Sequence, residues 1–177
     1  SGRAFGKTAW RGDGCWAEFD ECLQTARSAG DRLMVPIDGR RFKKANYAWN
    51  RDGFGGVKQS LYVTALRSYR SRKLASQGAA RQLNLLTMYE ELADSYARHL
   101  SYDCLHVVVH QNLLPFLWKK GHLGGRTFDV LMTAMPMSEI QNRLDHAARL
   151  HPESPTLGDF RADDSLLKYE NEALENA

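Results

Sequence analysis

Apolar residues recur at steps of three and four along several stretches of the chain. Trp16, Phe19, Leu23 and Ala26 predict a helix over 16–29, which follows Gly12-Asp13-Gly14 and stops at Gly30. Leu85, Leu86, Tyr89, Leu92, Tyr96 and Leu100 predict another over 83–100. A third is expected over 138–150, with Ser138 as its cap and Ile140, Leu144, Ala147 and Ala148 on one face. A fourth covers 164–177, and a short one covers 113–119. Between them lie compact apolar runs, RLMVPI at 32–37, LHVVV at 105–109 and FDVLMT at 128–133. Their apolar positions are continuous and not alternating, which suits strands buried on both faces. The segment 61–66 fits a strand or the first turn of a helix equally well.

Strands and helices that take turns define an α/β fold, a parallel sheet flanked by helices in a Rossmann-like arrangement. With 177 residues, 43% of them hydrophobic, the chain suits a single domain over 1–177. One piece is missing from this pattern. The helix at 16–29 follows SGRAFGKTAWRGDG directly, and the strand on which it should pack is expected upstream of Ser1. The chain is therefore read as part of a longer one.

Charge changes the picture in one place. Residues 40–81 carry eleven Lys or Arg against one acid, Asp52, and so +10; the remainder holds thirteen cations against twenty acids, and so −7. This stretch is expected to form a basic irregular or helical insertion. Its first part, GRRFKKANYAWNRDGFGG, interleaves Phe42, Tyr47, Trp49 and Phe54 with Arg40, Arg41, Lys43 and Lys44. Such a mixture can hold a nucleic acid or another polyanion by charge and by stacking; it equally suits a solvated face that balances the acidic remainder. Cys15, Cys22 and Cys104 form no paired spacing, which argues against a disulfide framework or zinc site and fits a reducing, cytoplasmic setting. No apolar run is long enough for a spanning helix.

The candidate chemistry lies where strands end. In open parallel sheets ligands gather beyond the carboxyl ends of the strands. LHVVV runs into His110, Gln111 and Asn112; His110 can serve as a base, proton shuttle or ligand anchor, or as a structural cap. Gly124, Gly125 and Arg126, with Lys119, Lys120 and His122 nearby, have the ingredients of an anion nest, and an ordinary glycine connection explains them as well. The opening Gly6-Lys7-Thr8 imitates a phosphate-binding loop, but the residue five before Gly6 is Ser1 where the motif needs glycine. Asp38, the nearest candidate for the magnesium-binding acid of such a fold, follows a strand interrupted by Pro36. No metal-ligand spacing, nucleophile elbow or dinucleotide fingerprint is present, and no cofactor is expected.

Two long segments, HVVVHQNLLPFLWKKGHLGGRTFDVLMTAMPM with its continuation to NEAL and GRAFGKTAWRGDGCWAEFDECLQTARSAGDRLMVP, resemble the amino-terminal domain of glycosyltransferase-like proteins built from two facing Rossmann domains, the GT-B arrangement. The resemblance implies an acceptor-side domain that holds a sugar or lipid acceptor, with Gly6, Gly12, Gly14, Gln111 and Asn112 at the binding cleft and His110 facing it. It also implies a second domain that binds the sugar nucleotide, so that this chain would not turn over substrate alone.

Overall fold

The computed structural model describes residues 7–73, 78–158 and 161–177. Five strands form one parallel sheet: β1 Lys7–Arg11, β2 Arg32–Val35, β3 Gly56–Gln59, β4 Cys104–His110 and β5 Thr127–Leu131, in the order β3-β2-β1-β4-β5. Helices α1 Ala17–Ala26, α2 Leu61–Lys73, α3 Gly78–Ala97, α4 Leu114–Lys119, α5 Met137–Leu150 and α6 Asp164–Leu174 surround it. The α/β, Rossmann-like arrangement expected from the sequence is present.

The strand expected upstream of Ser1 is β1 itself. Lys7 and Thr8 are its first residues, so they cannot belong to a phosphate-binding loop, which must follow a strand. Lys7 pairs with Asp103, and buried Asp31 accepts from the Thr8 amide at 3.0 Å and from the Trp10 indole at 3.2 Å. The glycine turn thus shortens to Gly12–Gly14. Gly6 lies outside the described residues.

Successive strand residues point to opposite faces, and both faces are covered. Ala9, Met34, Val107, Val109 and Phe128 join Tyr96 and Leu92 of α3 and Leu117 of α4 in one core; Trp10, Leu33, Val35 and Val108 join Leu23 of α1 and Trp49 in the other. Each fully buried Leu or Val contributes about 2 kcal/mol relative to exposure. That double burial is why the centres of β2 and β4 read as apolar runs.

The basic stretch 40–81 is irregular through its first part apart from a 3-10 turn, Ala45–Tyr47, and then supplies the edge strand β3 as well as α2. The ambiguous segment 61–66 is helix. Ser138 is not a cap: Pro136 occupies that position, and the Ser138 hydroxyl donates to Asn171 of α6. No helix among the described residues is long and apolar enough to cross a membrane.

Candidate functional site

Sequence order along the sheet reverses between β1 and β4, the position beyond whose carboxyl ends open parallel sheets hold their ligands. The turn after β1 forms one side of it. The Gly12 amide donates to Met34 at 3.0 Å, and its carbonyl accepts from the buried Tyr96 hydroxyl at 2.9 Å. A Cβ on Gly12 would lie 2.6 Å from the Trp49 ring, so only glycine lets the buried indole close over the turn. Asp13, 5% exposed, receives Arg67 of α2 at 2.9 Å. Burial lowers the Arg67 pKa, but Asp13 and the neighbouring tyrosines outweigh it, and the net direction is upward. The same guanidinium lies 5.5 Å from the centre of the Tyr89 ring, and burial, then Asp13, raises the Tyr89 phenol.

The opposite side is the end of β4. His110, 2% exposed, packs its ring edge-on to Phe19 at 6.1 Å. The Asn112 amide donates to His110 Nδ1 at 3.4 Å. With Nδ1 accepting, the neutral ring carries its hydrogen on Nε2, and Nε2 is buried without a partner among the described residues. Burial lowers the His110 pKa against a smaller opposing pull from Asp13, which favours that neutral form. Such a ring donates a hydrogen bond more readily than it accepts a proton. The Asn112 side chain in turn donates to Tyr89 at 3.1 Å, so Asp13, Arg67, Tyr89, Asn112 and His110 form one connected group.

The structure disperses the other sequence-derived candidates. Gln111 donates to Met135 and Glu170 at 3.1 Å each and accepts from the Thr133 and Ala134 amides, so its side chain clamps the β5–α5 connection. Gly124, Gly125 and Arg126 lie before β5, at the amino edge of the sheet; the Gly124 and Arg126 amides donate to backbone carbonyls, and the Arg126 guanidinium donates to the Cys104, His122 and Gly124 carbonyls. Arg40, Arg41, Lys43 and Lys44 are exposed beyond β2, and Asp38 is buried against Arg51 at 2.6 Å. Gly14 follows Asp13 in the turn after β1. No cluster of metal-ligating side chains occurs among the described residues.

Sequence reasoning did not single out Arg67 or Tyr89 for the site, because they reach it from helices far along the chain. Asp13, bracketed by glycines after β1, was within reach of the pattern. Arg11 was not: it ends β1 fully buried, with no hydrogen-bond partner for its guanidinium among the described residues, and burial lowers its pKa to about 10.

Protein-family models, curated proteins and solved structures all fail to match this chain.

Proposed function

We propose that this chain is the acceptor-side domain of a glycosyltransferase-like protein of the GT-B arrangement, which binds a hydroxyl-bearing acceptor beyond the carboxyl ends of β1 and β4. The observation that carries the reading is the buried, unpartnered Nε2 of His110 beside Asp13 at the point where strand order reverses. A buried donor left without a partner costs about 1–3 kcal/mol, and an acceptor oxygen would remove that cost. His110 then orients the acceptor, the Asp13–Arg67 pair keeps the glycine turn in place, and a second domain supplies the sugar nucleotide. The sequence resemblance and the strand order support the same assignment.

The test has two arms. Nucleotide sugars titrated against this chain should show no tight binding, and a submicromolar dissociation constant would sink the idea. A panel of mono- and disaccharides should contain at least one member that shifts the His110 ring resonances in NMR spectra, and weaker binding of that member to His110→Ala is expected. A silent panel overturns the assignment.

A second reading has its own observation. Of the eleven cations in 40–81, Arg51, Arg67 and Arg70 pair with carboxylates, and no other ion pair of these cations occurs among the described residues. The free ones could bind nucleic acid or another polyanion. Such binding weakens steeply with salt. A mobility shift with single-stranded and duplex probes over a salt series decides it, and no shift at low salt eliminates it.

A further inference from the structure

A trough runs between the 3-10 turn Ala45–Tyr47 and one face of α2, on the same carboxyl side of the sheet as His110. Its inner part, about 470 Å³, is lined by Ile37, Tyr47, Leu61, Thr64 and Ala65, among others. Its outer part, about 540 Å³, is lined by Lys44, Ser68, Ser71, Arg72 and Arg81. Lys44, Ser68, Ser71 and Arg72 border both, so the two parts are continuous. On α2 the lining residues recur at helical spacing, apolar and small at the amino end and cationic at the carboxyl end.

The outer part is built, not incidental. Lys44 sits in a closed loop: its amide donates to Gly39 at 2.7 Å, its carbonyl accepts from Tyr47 at 3.0 Å, and the Gly39 amide donates to Tyr47 at 3.0 Å. A Cβ on Gly39 would lie 2.2 Å from the Tyr47 carbonyl carbon, so this closure requires glycine. Arg72 is folded back on its helix, donating through Nε to the Ser68 carbonyl and through Nη2 to the Ser68 hydroxyl. Since Ser68 Oγ accepts there, its own hydrogen is free to donate.

Lys44, Arg72 and Arg81 form no ion pair among the described residues, whereas Arg51, Arg67 and Arg70 close by each have a carboxylate. Three cations that share a trough repel one another unless an anion joins them. A phosphate group suits them: it offers about two negative charges and several strong acceptor oxygens to Lys, Arg and Ser donors. The inner part then receives an organic body against Ile37, Leu61 and the Tyr47 ring. Arg67 and Tyr47 belong to this wall and also approach Asp13, which links the trough to the His110 site.

The geometry points to this trough as a binding site for a phosphate ester, with the phosphate on Lys44, Arg72 and Arg81 and the organic body in the inner part. That the ester is the acceptor rests on the acceptor-domain reading; that it binds does not.

Isothermal titration at low salt with glucose 1-phosphate, dihexanoyl phosphatidic acid, glucose and oligothymidylate tests the site. At least one ester should bind and glucose should not; the ester that binds tells a soluble sugar phosphate from a lipid headgroup. Lys44→Ala and Arg72→Ala, both exposed and expected to fold by circular dichroism, should each weaken the ester about tenfold. Lys119→Ala, on α4, should leave it unchanged. The proposal is overturned if neither ester binds, if the two variants bind like the parent, or if oligothymidylate binds more tightly than either ester through the same lysine and arginine. Ester binding with a silent His110 ring sinks the acceptor role and keeps the site, whereas His110 shifts from a sugar without ester binding do the reverse.

Discussion

Arg67 meets Asp13 at 2.9 Å across fifty-four residues of chain, and this one contact ties α2 to the turn that ends β1. Asp13 is nearly inaccessible and Arg67 is only partly exposed, so the pair is poorly screened by solvent. Its energetic weight lies less in the attraction than in what is left behind if one partner goes.

Replacing Arg67 by Met removes the guanidinium, keeps much of the stem, and strands the Asp13 carboxylate. The expected cost is about 3 kcal/mol, read as a lower urea midpoint at unchanged slope. Adding Asp13→Asn to that variant should recover part of the loss, because the buried charge disappears as well. A double variant no more stable than Arg67→Met would show that packing, and not the stranded charge, sets the cost.

Gly12→Ala probes the same turn from its other side. The new methyl would meet the fully buried Trp49 ring at 2.6 Å, with core on every side. Overpacking of this kind costs about 2 kcal/mol. Trp49→Leu should be destabilising by itself but should tolerate Gly12→Ala at smaller further cost, so thermal unfolding of the four proteins forms a cycle. Strictly additive losses would contradict the contact.

Glu170 of α6 is fully buried and accepts from the Gln111 side chain at 3.1 Å and from the Met137 amide. It therefore joins the end of β4, the start of α5 and the last helix. Glu170→Ala leaves two donors with fewer acceptors, and about 3 kcal/mol of stability should be lost. Amide exchange should quicken first at Met137, whose amide loses its acceptor.

How much of this was legible in the sequence depended on burial symmetry. β2 and β4 were visible because their central residues are apolar in succession; β5 was found from Phe128, Val130 and Leu131, but it is an edge strand with Asp129 exposed and is not buried on both faces as its run suggested. β1 was not, since KTAWR begins with an ion-paired lysine and ends with a buried arginine, and its Gly-Lys-Thr start imitates another motif. β3, GVKQ, is an edge strand with one apolar side chain and no periodic signal. His110 and Asn112 were singled out because they follow the run LHVVV, and Gly12 and Gly14 because they make a glycine-rich turn before the first helix. Their partners Arg67 and Tyr89 were hidden, because a contact between residues dozens of positions apart leaves no local spacing to read. Gln111 looked like a ligand contact for the same reason, since its acceptor Glu170 is fifty-nine residues away.

The pH dependence of stability follows from His110. An unfolded histidine takes up a proton near its ordinary value of 6.5, while burial holds the folded ring's pKa below that. Between the two values the unfolded chain binds more protons than the native one, so stability rises with pH and is lost as pH falls below about 6.5. His99 and His122 are lowered in the same direction, by burial first and then by neighbouring cations, but both are more open to solvent and contribute less. Urea midpoints from pH 7.5 to pH 5 should therefore fall on the acid side, and His110→Gln should flatten that fall although it lowers the plateau. An equal pH dependence in parent and variant would mean that His110 takes up its proton as readily in the native state as in the unfolded one, and the donor role assigned to its Nε2 hydrogen would lose the support of a ring that burial keeps neutral.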